Sequence, residues 1–200
     1  MKKFTKLTSV VAPLDLSNID TDIIISSEHL LSTHRQGYGQ YVFSELRSSD
    51  SEFILTKDEY IKSEILLVRD NFGCGSSREQ AVWALMEAGI KVIICASFPD
   101  IFSNNAAKNG LLLISIAEVE VDTLFVESNK KALTLTVDLE KQTIEYNSES
   151  INFNYDIFQK DCLLNGVDQL DYLYSNLNLI KQYEKKHKIF LNQPLLSDKE

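Results

Sequence analysis

The apolar positions of this chain fall into short solid runs separated by stretches of helical spacing. Residues 65–68, Ile-Leu-Leu-Val, and 92–96, Val-Ile-Ile-Cys-Ala, are continuous apolar runs. They are too short for buried helices, which predicts strands covered on both faces. Residues 111–114 predict another such strand, residues 7–12 a first strand, and residues 22–25 a further one. Residues 78–88 predict a helix closed by Gly89. Ser97, with Asp100 three positions on, predicts an N-cap for a helix running to about Asn109 and Gly110. Residues 117–129, 156–165 and 170–186 also fit helices, and residues 133–146 alternate about a Leu-Glu-Lys turn as a hairpin. Residues 32–40, with two glycines, few aliphatics and a lone arginine, predict an exposed loop. The last dozen residues predict a loose tail. The strand–helix alternation at the centre implies a parallel α/β core with an antiparallel hairpin beside it, in a single domain over residues 1–200 whose tail begins at about 187.

Composition narrows the function. A net charge of −9 argues against a general nucleic-acid or anionic-membrane surface. Cys74, Cys95 and Cys162 are far apart and form no CxxC pair, and His29, His34 and His187 show no HxxxH spacing. That pattern predicts reduced thiols and no self-contained zinc or iron–sulfur site. The N-terminal apolar run is cut by Pro13 and followed by Asp15, too short for a secretory core, and no stretch is long enough to span a bilayer. A cytoplasmic location is expected.

One stretch carries chemistry. Asn-Phe-Gly-Cys-Gly-Ser-Ser-Arg-Glu, residues 71–79, lies between the buried strand at 65–68 and the helix at 78–88. Ligands in open α/β sheets gather at such strand-to-helix turns. It is not a Walker A loop, since no Gly-Lys-Ser/Thr follows. It is not a dinucleotide fingerprint either, since Arg78 stands where a third glycine would allow close packing. Ser76 with Glu79, and Ser77 with Gln80, have capping-box spacing. Capping explains the serines and leaves Arg78 unexplained, because a cation is unfavourable in a first turn. An anion held by free N–H groups, two hydroxyls and a guanidinium would reverse that sign.

The stretch "NFGCGSSREQAVWAL" resembles the signature of the small subunits of 3-isopropylmalate dehydratase, the swivelling domain of the aconitase superfamily. "VVAPLDLSNIDTDIII", "RQGYGQYVF", "IICASFPDIFSNNAAKNGLL" and "FQKDCLLNGVD" resemble further segments of that family in the same order, over roughly residues 6–185. Departures fall at Ser26 and Val82, where many relatives carry Pro, and at Gln80, where many carry His. The resemblance implies a three-layer β/β/α swivelling domain that works with a large subunit. That partner would hold a [4Fe-4S] cluster, with no cofactor on this chain. The reaction implied is the loss and re-addition of water on a small dicarboxylate, 2-isopropylmalate to 3-isopropylmalate, in leucine biosynthesis.

The resemblance also implies roles. Ser76 matches the catalytic base, Ser77 and Arg78 match residues that hold a substrate carboxylate, and Arg35 matches a loop arginine that grips another. Asp22 matches an acid that pairs with a large-subunit histidine, and the Tyr38 region would shape the pocket for the apolar group. Plainer readings stand beside these: Arg35 as a solvated loop residue, Asp22 as a turn former, Asp20 as a turn residue. Homoaconitate or citramalate/methylmalate chemistry, or a non-catalytic anion-binding assembly module, are the alternative functions.

Overall fold

The structure is a computed structural model and describes residues 1–30 and 36–187. Its strands and helices run in the order β1 (Lys6–Leu14), α1 (Thr21–Ile24), α2 (Ser44–Ser49), β2 (Ile65–Val68), α3 (Glu79–Glu87), β3 (Val92–Cys95), α4 (Asp100–Asn109), β4 (Leu112–Ser115), α5 (Glu118–Lys130), β5 (Thr134–Asp138), β6 (Thr143–Tyr146), β7 (Glu149–Asn152), α6 (Ile157–Asn165), α7 (Gln169–Ser175) and α8 (Leu177–Lys186).

Seven strands pair in the order β4-β3-β2-β1-β5-β6-β7. The first four are parallel and the last three antiparallel. Strand β1 joins the halves: Val11–Leu14 pair with β2 in parallel, while Lys6–Val10 pair with β5 antiparallel. The solid apolar runs have the physical cause expected of them, burial on both faces. Leu66, Val68, Ile93 and Cys95 enter one core cluster with α3 and α4. Their neighbours Ile65, Leu67, Val92 and Ile94 enter a second cluster with α5 and the antiparallel strands. The expected α/β class, with parallel core and antiparallel addition, is the observed one.

Several elements differ from the sequence reading. Residues 22–25 are not a strand. Asp20 Oδ1 accepts from the Ile23 N–H at 2.8 Å and caps the short helix α1, which buries Thr21 and Ile24 at helical spacing. A four-residue apolar run fits both periods, and the cap decides. Ser97 is not the cap of α4. Pro99 is the N-cap, extended at ψ 145°, so the helix starts at Asp100, and the Ser97 hydroxyl instead accepts from the Asn71 N–H at 3.0 Å. The helix expected over 170–186 is broken at Asn176 into α7 and α8. A second hairpin turn at Asn147 and Ser148, both with positive φ, adds β7 where no Asn-Gly or Asp-Gly signal marked it. The expected tail lies, from residue 188, outside the described residues.

Candidate active site

The site grows from the carboxyl ends of β1, β2 and β3. The loop after β2 is held by backbone bonds to the loop after β1: Gly73 N–H donates to Ile19 C=O at 2.7 Å, Thr21 N–H to Cys74 C=O at 3.0 Å, and Asn18 N–H to Asp70 C=O at 3.0 Å. The Thr21 hydroxyl donates to Ser76 C=O at 3.0 Å. From the other side, Phe72 N–H donates to Ser97 C=O at 3.3 Å. These contacts fix a backbone that turns through positive φ at Asn71, Gly73 and Gly75. Gly73 is required twice over. Its φ is +81°, and a Cβ there would lie 2.3 Å from Cγ of the Phe102 ring. Gly75, at φ +85°, lets the loop pass against Asp20.

The two capping boxes expected from the serines do not form. Arg78 itself is the N-cap of α3, in extended conformation, and no side chain caps this end. Glu79 is drawn elsewhere: its Oε1 accepts from Asn109 Nδ2 at 2.8 Å, and Asn109 Oδ1 accepts from Trp83 Nε1 at 3.0 Å, tying α3 to α4. Among the described residues the first amides of α3 therefore meet no side-chain acceptor, and Ser76 and Ser77 are exposed beside them. Uncapped N–H groups with adjacent hydroxyls form an anion-binding end.

Arg78 has an explanation the sequence did not supply. Its Nη1 meets Oδ1 of Asp22 from α1 in an ion pair. The Arg78 side chain is 18% exposed and Asp22 52%. Nη1 is fully buried, and the carboxylate faces it as a charge contact rather than an aligned hydrogen bond. Asp22 thus offsets the cation at the start of α3 in this chain.

A narrow cleft of about 30 Å³ is lined by Thr21, Gly73, Gly75, Ser76 and Arg78, and by Pro99, Ile101, Phe102 and Asn105 from α4 and its N-cap. The structure brings Ser76 and Arg78 together there, with Asp22 joined through its ion pair and Ser77 next to Ser76 on the exposed loop. Arg35 lies outside the described residues. Tyr38, within the loop expected to be exposed, is 1% exposed and packs in the core near Trp83, with ring centroids 6.0 Å apart. The loop expected to be exposed is anchored at its far end, where both oxygens of Glu87 accept, from Gly37 N–H at 3.0 Å and Gly39 N–H at 2.8 Å. Thr21 and Asn105 were missed. The available signal for Asn105 was three asparagines in one short helix, a residue type that gains little from helix interiors.

The departures at 26 and 82 have simple settings. Ser26 sits at φ −62°, the angle a proline would fix, and Val82 is buried in the core. The three cysteines are free, and burial pushes the Cys95 thiol up as it donates to the carbonyls of Arg69 and Ser97. Among the described residues no group of His, Cys, Asp or Glu is placed to hold a metal ion, and no helix is long and apolar enough to cross a membrane.

Fold and cleft together define a swivelling domain of the aconitase C-terminal type, and residues 1–119 match the family described as the aconitase C-terminal domain. The chain is 51% identical to a 3-isopropylmalate dehydratase small subunit of Francisella philomiragia over 188 residues, 94% of this chain and all of that one. It is 45% identical to the small subunit of Buchnera aphidicola from Acyrthosiphon pisum, over 96% of both chains. A solved structure of 3-isopropylmalate dehydratase from Methanocaldococcus jannaschii aligns with a TM-score of 0.64 at 25% identity, covering 90% of this chain and 99% of that one. The chain belongs to the family of 3-isopropylmalate dehydratase small subunits.

Proposed function

We propose that this chain supplies the proton-abstracting and carboxylate-binding half of a hydro-lyase active site that converts 2-isopropylmalate to 3-isopropylmalate in leucine biosynthesis, in the cytoplasm. The observation that carries the reading is the uncapped start of α3, with the Ser76 hydroxyl exposed beside it and Arg78 lining the same cleft. Ser76 Oγ, as alkoxide, takes the proton from the carbon α to a substrate carboxylate. The N–H groups of α3 and the Arg78 guanidinium supply the positive field that such a weak base needs. Ser77 and Arg78 hold that carboxylate. Asp22 engages one nitrogen of the Arg78 fork, and the remaining N–H donors are left for substrate. Arg35 grips a second carboxylate, and Asp22 also faces the large subunit's histidine in the assembled enzyme. The large subunit brings a [4Fe-4S] cluster, which supplies Lewis-acid chemistry toward the departing hydroxyl when bound. Addition of water at the carbon that lost its proton, with proton return from Ser76 to the carbon that lost its hydroxyl, completes the isomerisation.

The test is reconstitution. The purified chain is expected to turn over no isopropylmalate by itself and to gain activity on mixing with cluster-loaded large subunit. Turnover by the chain alone would overturn the division of labour. In the same assay Arg78→Lys keeps the charge and loses the planar fork. It is expected to raise KM by about tenfold or more, as for loss of a charge-assisted bidentate contact, with subunit assembly retained on gel filtration. An unchanged KM would remove Arg78 from the substrate site.

A further inference from the structure

A second cleft lies away from Ser76, between α2, the segment 54–63 and the end of α3. Its volume is about 620 Å³, within the range of small-molecule sites. Two polar groups in its lining have no partner among the described residues. Arg47 of α2 is half-buried, with a fully buried Nε that makes no hydrogen bond, and among the described residues no carboxylate pairs with it. Burial alone lowers its pKa, the direction expected of a guanidinium whose lost hydration nothing has replaced. Ser63 is 6% exposed, and its hydroxyl also has no partner. A buried unpaired hydroxyl and a half-buried unpaired cation in one cleft are each costly unless something meets them. Leu55, Ile61 and Ile90 supply apolar wall beside them. Glu87 also lines the cleft, but both its oxygens are taken by the Gly37 and Gly39 amides.

We propose that this cleft binds a small monocarboxylate with a short branched or linear apolar tail, its carboxylate on Arg47 and Ser63 and its tail on Leu55, Ile61 and Ile90, at a site separate from the Ser76 cleft. A guanidinium fork matches a carboxylate's two oxygens, and the hydroxyl adds one donor. The single cation and the apolar wall favour a singly charged, partly apolar anion over inorganic phosphate.

Calorimetric titration of the full chain with 4-methylvalerate is expected to give saturable binding in the micromolar to millimolar range, with inorganic phosphate weaker. Arg47→Gln is expected to weaken 4-methylvalerate by about tenfold or more, and Ser63→Ala by several-fold. Ile61 is 60% exposed, so Ile61→Glu places a like charge in the cleft without touching the core and is expected to weaken binding as well. This variant keeps the test decisive if Arg47→Gln fails to fold. Arg78→Gln is expected to leave the affinity unchanged, which separates this site from the substrate cleft. Absence of saturable binding, full affinity in Arg47→Gln or Ile61→Glu, loss of affinity in Arg78→Gln, or tighter binding of phosphate would each overturn the proposal. So would loss of binding on assembly with the large subunit together with weakened assembly of Arg47→Gln, which would make the cleft a contact for a partner side chain instead.

Discussion

Ser76→Ala, reconstituted with the large subunit, is expected to lose turnover by roughly 10²–10⁴-fold, the range for removal of a general base or a key electrostatic group. Its melting curve is expected to stay within about 0.5 kcal/mol of the parent, as for exposed positions that make no bond. The two readouts separate cleanly because the structure removes the capping role. A serine that capped α3 would cost about 1 kcal/mol when truncated, but the cap position belongs to Arg78, and the Ser76 side chain is exposed. Steady-state kinetics beside thermal melts decides the point. Near-parental turnover would place the base elsewhere, and a large loss of stability would mean the hydroxyl is structural.

Gly73→Ala is expected to be the most destabilising single methyl that can be added near the site. Two costs combine. At φ +81° an alanine is strained by about 1 kcal/mol. Its Cβ would stand 2.3–2.6 Å from three atoms of the Phe102 ring, which is itself fully packed and edge-on to Phe72 at 5.5 Å. Relief requires moving α4 or the loop, at roughly 1–3 kcal/mol for overpacking. The sum lowers Tm by about 5–15 °C in a chain of this size. Phe102→Leu in the same chain frees part of the space but leaves the backbone strain, so the double variant is expected to recover part of the loss. Calorimetric melts of the three variants check this. A Gly73→Ala chain that melts like the parent would mean the ring gives way freely.

These expectations show where sequence was sufficient and where it was not. The parallel core was legible because residues 65–68 and 92–95 are buried on both faces, a condition that leaves only apolar residues. The loop at 71–79 was legible as a site because its glycines and serines sit at a strand-to-helix turn. Arg78 could be flagged as out of place but not explained, since its partner Asp22 is far off in sequence and comes close only when α1 folds against α3. The capping boxes failed for a related reason: a serine three positions before an acid is a local signal, and Asn109 on another helix had taken the acid. Tyr38 lies within the loop 32–40 read as exposed, whereas tertiary packing drew it into the core. Helix α1 defeated the strand reading because four residues give too few turns for periodicity to speak.

Strand β1 has a consequence for how the molecule is made. Its first half finds its partner only in Thr134–Asp138, well past residue 119, where the matched family region stops. While the chain emerges from the ribosome, β1 can gather β2, β3 and β4 early, yet one flank of that young sheet stays bare until β5 is synthesised. The unpaired flank is Lys6–Val10, with a lysine at its start and serine and threonine among the apolar positions, a composition that discourages pairing with strangers during the wait. A fragment ending near residue 119 would keep every described residue of the Ser76 cleft and still be an unfinished object, open along a strand edge and deprived of more than half its second core.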